Sequence, residues 1–378
     1  MEISGIVCEY NPLHLGHKKQ IDYLNSLGHG VVCVMSGNFV QRGHPAIFDK
    51  MARAKAAIEC GADLVIELPL IYALSSAEGF AAGAVQVLDK LCDNICFGAE
   101  TEDPQKLWQT AQMLLSPAFS QHLRTHLDKG LSFPAARSAA LADCGLDPQL
   151  LTAPNNILGA EYCKAIIAQN ASIKPLPIYR QGNYHDDVPD AENPSATSLR
   201  KLILAGDEWN MYIPSPVADL FAHAQIHHLE QAERAILYRL RTMTDAEFEQ
   251  LPFGSEGLWR KLMHAARTQP NLEQIIEATK SKRYTRTRID RMILCAYLGI
   301  TQQQMHAGAP YARVLAFNDL GRSILSQVKS SGYFVNIGEK TGQEFEELEH
   351  RSGALYALMA CDPEQADAES KYRIFYRN

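Results

Sequence analysis

Short apolar runs alternate with longer stretches of helical spacing along the first half of the chain. Uninterrupted apolar runs are typical of parallel strands buried on both faces, and the stretches between them supply helical crossovers. This alternation predicts an α/β fold with a doubly wound parallel sheet. The predicted strands lie at 3–8, 31–35, 63–68, 94–97 and 174–179. Because Pro175 and Pro177 cannot donate to a ladder, the last strand is predicted at the sheet edge.

Helical spacing separates these strands and then dominates the rest of the chain. The main helices between the strands are predicted at 15–27, 48–60, 77–91, 159–168 and 195–204. Residues 103–150 have helical spacing without strand-like runs, so they form a predicted helical insertion. Beyond about residue 210 we find no clear parallel strand. The predicted domains are therefore residues 1–208, which hold the sheet, and a mostly helical C-terminal domain at 209–378.

Four loops follow the first four predicted strands at their carboxyl ends. These loops lie at 9–17, 36–45, 67–69 and 98–100. In doubly wound sheets a ligand binds beyond this edge, at the point where the strand order reverses. We therefore expect one ligand-binding crevice that is lined by all four loops.

The first of these loops carries a histidine pair at the start of a predicted helix. Asn11-Pro12 ends the strand, and His14, Gly16 and His17 follow. A helix N-terminus presents N–H groups and the positive end of the helix dipole, which favour anions. Gly16 lets a phosphate approach the backbone, and two imidazoles can donate hydrogen bonds to phosphate oxygens. The loop therefore predicts a phosphate site.

A second candidate anion site follows the predicted edge strand. Residues 195–200 read SATSLR, and Ser195 is a good helix N-cap. Hydroxyl groups and Arg200 at a helix start can bind phosphate, although a capped helix with a surface arginine explains the same pattern. The presence of His14 and His17 in the same predicted domain favours the phosphate interpretation.

Charge is distributed unevenly along the chain. The formal net charge is −7, yet residues 280–291 include six basic residues and one acid. Basic residues interleaved with Tyr, Ser and Thr can neutralise phosphates and stack a base, although charge runs are also typical of a solvated helix face. Because this basic segment lies in a chain with a negative net charge, RNA contact is the favoured interpretation. The predicted RNA-contacting residues are Lys282, Arg283, Arg286, Arg288 and Arg291.

Composition indicates the class of protein. A hydrophobic content of 46% in 378 residues is ordinary for a globular chain of more than one domain. We find no signal-peptide pattern and no run of about 18 apolar residues, so no membrane span is expected. Nine scattered cysteines fit a reducing compartment, and we expect a cytoplasmic protein. Cys92 and Cys96 have no second pair downstream, so we predict neither structural zinc nor another protein-bound metal.

Several long blocks of the sequence resemble one known family. They read EYNPLHLGH at 9–17, MSGNFVQRG at 35–43, DLVIELP at 63–69, PNNILG at 154–159 and KRYT at 282–285. The chain is similar to the bacterial tRNA(Met) cytidine acetate ligases, which have the Rossmann-like fold of the HxGH nucleotidyltransferase superfamily. Residues 195–200 resemble the superfamily segment that holds the triphosphate. His44 departs from the family, in which an acidic residue is more usual at this position.

The resemblance implies a two-step ligase. ATP and acetate would form acetyl-adenylate and pyrophosphate. The N4 amine of the wobble cytidine in elongator tRNA(Met) would then take the acetyl group, and Mg²⁺ is expected to accompany ATP. No side chain stands out in the sequence as the base for this amine, and we find no nucleophilic Ser or Cys pattern that would indicate an acyl-enzyme.

Roles for individual residues follow from the same resemblance. The catalytic residues that would stabilise the phosphates are His14, His17 and Arg200. The expected ATP contacts are Val7, Cys8, Glu9, Tyr10, Asn11, Pro12, Leu13, His14, Leu15, Gly16, His17, Lys18, Lys19, Gln20, Gly98, Asn155, Asn156, Tyr179, Arg180, Ser195, Thr197 and Arg200. Asn155 and Asn156 are alternatives for one contact to the nucleotide or acetyl group. The weaker candidates for acetate or tRNA contact are Arg42 and Lys50.

Two other functions fit parts of the sequence. A small-molecule adenylyl- or nucleotidyltransferase of the HxGH type would explain residues 1–205 and leave the basic segment unused. A non-catalytic RNA-binding module would explain the basic segment and leave the histidine pair and residues 195–200 unused. ATP–pyrophosphate exchange separates the three hypotheses, because only the ligase requires acetate.

Overall fold

The computed structural model describes residues 1–101, 103–179, 194–336, 339, 344–362 and 364–378. The predicted alternation of strands and helices is present in its first half. Ten strands lie within the described residues: β1 (Ile3–Cys8), β2 (Gly30–Ser36), β3 (Phe39–Val40), β4 (His44–Pro45), β5 (Leu64–Leu68), β6 (Asn94–Ala99), β7 (Lys174–Tyr179), β8 (Ala312–Asn318), β9 (Phe334–Asn336) and β10 (Phe375–Arg377).

Eighteen α-helices accompany the strands in the same described residues. The first nine are α1 (Leu15–Ser26), α2 (Lys50–Glu59), α3 (Leu70–Ala73), α4 (Ala77–Leu88), α5 (Pro104–Leu114), α6 (Pro117–Asp128), α7 (Phe133–Asp143), α8 (Pro154–Gln169) and α9 (Ala196–Ala205). The other nine are α10 (Ser215–Ala222), α11 (Glu233–Thr242), α12 (Asp245–Glu249), α13 (Leu258–Thr268), α14 (Leu272–Thr279), α15 (Arg286–Leu298), α16 (Gln302–His306), α17 (Asp319–Val328) and α18 (Glu344–Ala357). Helices α5, α6 and α7 occupy the region that is predicted as a helical insertion.

One eight-stranded sheet is built outward from β1. Its strand order is β10-β8-β5-β2-β1-β6-β7, with β9 paired to β8. β1 runs parallel to both β2 and β6, and β6 runs parallel to β7. The chain proceeds from β1 through β2 to β5 and then returns to β6 on the other side of β1. This reversal places a topological switch point between β1 and β6 and confirms the predicted doubly wound α/β fold.

The C-terminal region also contributes strands to this sheet. β8 pairs antiparallel with β5, and β9 and β10 pair parallel with β8. The expectation of no clear parallel strand beyond residue 210 is therefore wrong. A short apolar run such as β8 cannot be distinguished from part of a buried helix by periodicity, and its partner β5 lies far away in the sequence. The rest of the C-terminal region is mostly helical, as predicted.

Helix α8 begins earlier than predicted. Its first residue is Pro154, whereas the sequence pattern places the start at Gly159. Proline is favoured in the first turn of a helix because it fixes φ and its missing N–H has no intrahelical partner there. Asn155 and Asn156 therefore belong to the first turn of a helix and not to a loop.

Apolar cores lie on both faces of the sheet. One core, which includes Leu88 and Ile166, lies between the sheet and helices α4 and α8. A second core, which includes Ile21 and Phe221, lies between the sheet and helices α1, α2 and α10. A third, which includes Ile293, joins the C-terminal helices. Within the described ranges we find no helix with the length and apolarity of a membrane span.

Candidate functional site

Side chains at both ends fix the loop that follows β1. Tyr10 has a positive φ of 43° and is 1% exposed, so the chain turns sharply while the ring stays in the core. The Oε1 of Glu9 accepts a hydrogen bond from the N–H of Gln41 at 2.8 Å. The Oδ1 of Asn11 accepts one from the N–H of Ile47 at 2.7 Å. These two hydrogen bonds attach the loop to residues 41–47.

The two predicted histidines lie together at the start of α1. Their rings stack with centroids 3.7 Å apart. His14 is the N-cap, and its Nδ1 accepts from the N–H of Gly16 at 3.1 Å. The Nδ1 of His17 accepts from the N–H of His14 at 3.4 Å. In neutral rings this pattern puts the proton on Nε2, so each imidazole can donate to a phosphate at the positive end of the helix dipole.

Arg200 joins the second candidate anion site to the first. Its Nη1 donates to the carbonyl of Asn11 at 2.7 Å, and its Nη2 donates to the Oγ1 of Thr197 at 3.2 Å. Ser195 caps α9, because its Oγ accepts from the N–H of Ser198 at 3.1 Å. The start of α9 therefore lies against the loop that leads into α1. These contacts place the start of α9, with its hydroxyl groups and guanidinium, beside the loop that leads to the histidine pair.

The loop after β6 is joined to the start of α8. The carboxylate of Glu100 accepts from the N–H groups of Asn155 and Asn156 at 3.1 and 2.8 Å. It also accepts from the Nδ2 of Asn155 at 2.9 Å. In return, the Oδ1 of Asn156 accepts from the N–H groups of Glu100 and Thr101 at 2.9 and 3.2 Å. Gly98 lies in the same strand end, so these groups form the opposite side of the switch point.

The predicted ATP contacts at 7–20 differ in burial. The buried residues are Cys8, Tyr10, Asn11, Pro12, Leu13, His14 and Gly16. The half-buried residues are Val7, Glu9, Leu15, His17, Lys18 and Gln20, and Lys19 is exposed. Because Cys8, Tyr10 and Leu13 belong to the apolar core, any contact from them would use the backbone.

Two further predicted ATP contacts lie near the end of β7. Tyr179 is the last residue of this strand and is exposed. Arg180 lies outside the described residues.

A buried arginine that the sequence did not identify holds the loops after β1 and β2 by hydrogen bonds to their backbone. Arg53 of α2 is fully buried. Its guanidinium donates to the carbonyls of Phe48, Glu9 and Ser36 at 2.9, 2.6 and 3.0 Å, and also to that of Gly37. These bonds hold the ends of β1 and β2 together at the edge of the crevice. The position of Arg53 on the apolar face of its helix is the pattern that could have identified it.

Lys50, a weaker candidate for acetate or tRNA contact, is a buried structural cation. It is 3% exposed, and its Nζ lies 2.9 Å from both carboxylate oxygens of Glu67 and also contacts Glu369. Burial disfavours the ammonium, but attraction to Glu369 and Glu67 outweighs it and raises the pKa of Lys50. The candidate role is therefore corrected. Helical spacing places this lysine on the buried face of α2 and not on the surface.

Lys50 belongs to an ion cluster that joins the two halves of the chain. The Nε of Arg313 in β8 donates to the Oε2 of Glu349 at 2.6 Å. Together with the buried Glu67 and the half-buried Glu369, three carboxylates therefore face two cations. Burial raises the pKa of Glu349 to about 7, and repulsion from Glu67 adds to this effect. Burial, with repulsion between carboxylates as the second cause, therefore keeps the proton on Glu349 to an unusually high pH.

Replacing Glu349 with glutamine should change the pH dependence of stability. The carboxyl group loses its proton near pH 4.5 in the unfolded chain and near pH 7 in the folded protein. Its contribution to stability is therefore full below about pH 4.5 and is lost as the pH rises to about 7. The free energy of unfolding in urea, measured at about pH 5 and about pH 8, checks this prediction. The stability of Glu349→Gln minus that of the unaltered protein should be larger at pH 8 than at pH 5. An equal stability difference at both pH values would contradict this role.

The hairpin of β3 and β4 joins the crevice to the basic segment. Gly43 forms its turn with a φ of +85° and packs directly on α15. A Cβ at this position would lie 2.5 Å from the backbone nitrogen of Arg291, so only glycine fits. Arg42 is exposed at the same turn. The crevice and the start of α15 are therefore neighbours.

Four of the five predicted RNA-contacting residues are accessible. Lys282 and Arg283 are exposed, whereas Arg286 and Arg288 are half-buried. Arg283 forms two hydrogen bonds with the carboxylate of Glu256, and Arg286 forms two with that of Glu273. The Nε of Arg288 donates to a backbone carbonyl at 2.9 Å. A phosphate that binds at these side chains would replace their present hydrogen-bond partners.

Arg291 does not belong to the accessible group. It is 9% exposed, and its guanidinium lies 5.1 Å from the ring centroid of Phe253. Its Nη1 donates to the carbonyl of Gln41 at 3.4 Å, in the segment that leads to the hairpin turn. The prediction that Arg291 contacts RNA is therefore corrected. Because it belongs to the part of α15 that is buried on all sides, Arg291 is a packing residue between that helix and the hairpin.

Sequence comparison relates the whole chain to known proteins. Residues 1–371 match a family model described as HIGH Nucleotidyl Transferase. A tRNA(Met) cytidine acetate ligase of Clostridium novyi is 38% identical over 351 residues, which are 87% of this chain and 88% of that protein. The protein of the same name from Caldanaerobacter subterraneus subsp. tengcongensis is 40% identical, over 87% of this chain and 86% of that protein.

Structural comparison finds the same fold in solved proteins. The apo crystal structure of Thermotoga maritima TmcAL has a TM-score of 0.91 and 29% identity, covering 100% of this chain and 99% of that chain. The TmcAL crystal structure with bound alpha-thio ATP has a TM-score of 0.88 and 29% identity, with 100% of both chains covered. The similarity therefore extends over the sheet, the crevice and the C-terminal region.

Proposed function

The chain belongs to the tRNA(Met) cytidine acetate ligase family, and from this premise we infer that it joins acetate to a cytidine of tRNA(Met) with ATP. In the first step, an acetate oxygen attacks the α-phosphate of ATP, which gives acetyl-adenylate and pyrophosphate. In the second step, the N4 amine of the wobble cytidine in elongator tRNA(Met) takes the acetyl group, and AMP is released. The stacked His14 and His17 at the switch point, with Arg200 bonded to the preceding loop, are the observation that carries the proposal.

Hydrogen-bond donors and positive charge in the crevice would catalyse the first step. Negative charge builds on the phosphates as pyrophosphate leaves, and preorganised donors lower the energy of that state. We assign His14 and His17 to the phosphates through Nε2, and Arg200 adds a full positive charge beside them. The hydroxyl groups of Ser195 and Thr197 at the start of α9 are further phosphate contacts in this proposal.

We assign the adenosine side of the nucleotide to the end of β6. Gly98 offers backbone access there, and α8 begins nearby. Of the two candidate amides, Asn155 is the better ligand contact. Asn156 is 4% exposed and its Oδ1 already accepts from two loop N–H groups, so it positions the loop.

Mg²⁺ enters this proposal together with the nucleotide. Among the residues that the structure describes, no group of three or more His, Cys, Asp or Glu side chains could hold a metal ion. Triphosphate oxygens and water would therefore supply most of its ligands, and the substrate is the MgATP complex.

We assign tRNA to a basic surface formed by Lys282, Arg283, Arg286 and Arg288. The hairpin of β3 and β4 packs on α15, so RNA bound at this surface lies close to the crevice. Phosphate oxygens would replace the carboxylates that now pair with two of the arginines. Because the reaction consumes ATP and acts on tRNA, we place it in the cytoplasm.

Exchange of labelled pyrophosphate into ATP tests the first step. We expect exchange that requires acetate and proceeds without tRNA. Exchange driven by a phosphorylated small molecule in place of acetate would contradict the proposal and favour a small-molecule nucleotidyltransferase. RNA binding without any exchange would favour a non-catalytic RNA-binding module.

Removing one arginine from the basic surface should weaken tRNA binding in a salt-dependent way. Arg283→Ala and Arg286→Ala each remove a charge that can neutralise a phosphate, so the slope of log K against log salt should fall by roughly one unit. Affinity for tRNA over a salt series checks this expectation. Arg124→Ala alters an exposed arginine of α6 and should leave the slope unchanged. An unaltered slope in both surface variants would remove these residues from the interface.

A further inference from the structure

His44 lies where the crevice meets the basic surface. The segment around it is bonded at both ends to the loop after β1. Gln41 donates to Glu9 at 2.8 Å, and Ile47 donates to Asn11 at 2.7 Å. His44 lies between these two anchors, in β4. It is therefore held beside the loop that leads to the histidine pair.

The imidazole of His44 faces the first turns of α15. Its Nε2 lies 3.7 Å from the Oδ2 of Asp290, and the same oxygen lies 3.7 Å from the Nε of Arg286. The Asp290 side chain is only 3% exposed, whereas that of His44 is 43% exposed. A substrate that reaches this junction can therefore touch the imidazole but not the carboxylate.

Charged groups from three elements surround this imidazole. Desolvation of the part of the ring that packs on α15 lowers the pKa of His44, and the positive charges of Arg200, Arg286 and Arg42 contribute to this effect. Asp290 is the acidic group that faces it. The ring is therefore neutral near pH 7 and can accept a proton. Phosphates of the substrates would offset the arginine charges and make the ring a stronger base in the complex.

We propose that His44 accepts the proton that the cytidine amine loses during acetyl transfer, an inference that rests on the proposed function. As the amine attacks, the bond between N4 and the acetyl carbon forms, and the bond from that carbon to the phosphate oxygen breaks. AMP leaves with the electron pair of the broken bond. The N4 proton moves to the imidazole and then to water, and no group is oxidised or reduced.

Other titratable groups near the junction are less suited to this step. The Oε1 of Glu9 accepts a hydrogen bond from Gln41. Asp290 is buried and lies near Arg286. The histidine pair is stacked at the start of α1, where its assignment is to the phosphates. His44 combines a neutral ring, partial exposure and a position on the side that faces the basic surface.

Two substitutions in the full chain test the proposal. Glutamine in His44→Gln keeps a side chain that can hydrogen-bond but takes up no proton, and His44→Ala removes both properties. In a single turnover, transfer from bound acetyl-adenylate to tRNA should fall about 100-fold or more in both variants. Acetate-dependent exchange and tRNA affinity should stay within about two-fold, because these processes do not use the transferred proton.

The pH profile distinguishes a proton acceptor from a structural residue. In the unaltered protein, the transfer rate should rise with pH through the pKa of His44 in the complex and then level off. This inflection should be absent in His44→Gln. His122→Gln is the matched control. His122 lies in helix α6, its side chain is also 43% exposed, and its Nδ1 lies 3.4 Å from the Oδ2 of Asp143. It should keep the profile of the unaltered protein.

Each other result overturns a defined part of the inference. Normal transfer or an unchanged pH profile in His44→Gln would overturn the proton-accepting role and leave the proposed function standing. Equal losses of exchange and transfer would overturn it too, because they would indicate a structural role for His44. Failure of the unaltered protein to acetylate tRNA would overturn the proposed function and this inference together.

Discussion

Replacing His17 with alanine should slow acetate-dependent exchange of pyrophosphate into ATP by about 10³-fold. Its imidazole is placed to donate to phosphates that gain negative charge, and removing one such preorganised donor costs about 10²–10³ in rate. His17 also stacks on His14 and accepts its N–H, so the substitution disturbs both rings. We therefore expect a loss toward the upper end of this range. Exchange measured at saturating ATP and acetate checks the prediction.

The same variant should retain its affinity for tRNA, because the basic surface lies on different elements. His17→Gln provides the second control. Glutamine at the third position of a helix can accept the N–H of the N-cap residue, so this variant should keep the capping bond that His17 makes to His14. It should remain folded and lose less exchange than His17→Ala, because the glutamine amide can still donate a hydrogen bond to a phosphate. Exchange at the normal rate in His17→Ala would exclude the phosphate role of His17.

Replacing Lys50 with methionine should destabilise the folded protein by about 3–5 kcal/mol, the usual cost of breaking a buried ion pair from one side. The ammonium lies 2.9 Å from both oxygens of Glu67 and also contacts Glu369. Methionine fills a similar volume but leaves these carboxylates buried without their cation. The free energy of unfolding, measured in urea at neutral pH, checks this prediction.

Lys55→Met is the matched control for this substitution. Lys55 lies on the same helix but is half-buried, and its Nζ lies 5.2 Å from the ring centroid of Phe375. Losing this contact should cost less than about 1 kcal/mol. If Lys50→Met were no more destabilising than Lys55→Met, the ion cluster would not stabilise the junction between the sheet and the C-terminal region.

Local patterns are sufficient to predict the first half of the fold. The strands β1, β2, β5 and β6 are short apolar runs with Gly, Pro or polar residues at or just beyond their ends, so both their type and their approximate limits can be read from neighbouring residues. The prolines of β7 also predict its place at the sheet edge from local sequence, because a missing N–H donor is tolerated only where no neighbouring strand needs it. The parallel arrangement then follows from the helices that connect these strands.

Long-range partners explain what could not be predicted. The strand β8 depends on pairing with β5, which local periodicity does not reveal. Lys50 is similar, because one of its two carboxylate partners, Glu369, lies 319 residues away. Local sequence shows only a lysine with helical spacing. Whether that lysine faces solvent or a buried carboxylate is decided by the tertiary fold.

The candidate site was predictable to the extent that its residues are adjacent in sequence. The histidine pair lies within four residues, and Ser195, Thr197 and Arg200 lie within six. Arg53 and Glu100 were missed because they act on backbone groups of other loops, and such contacts leave no fixed spacing between side chains. His44 was visible only as a departure from the family pattern, since its neighbours come from separate parts of the chain.

Transfer of labelled acetate to tRNA(Met) is the most direct test of the proposed ligase. The protein is incubated with ATP, labelled acetate and tRNA(Met), and the RNA is then digested to nucleosides. We predict label on N4 of the wobble cytidine, with a strict requirement for ATP and release of AMP in equal amount. No labelled cytidine, or labelling that does not require ATP, would contradict the ligase.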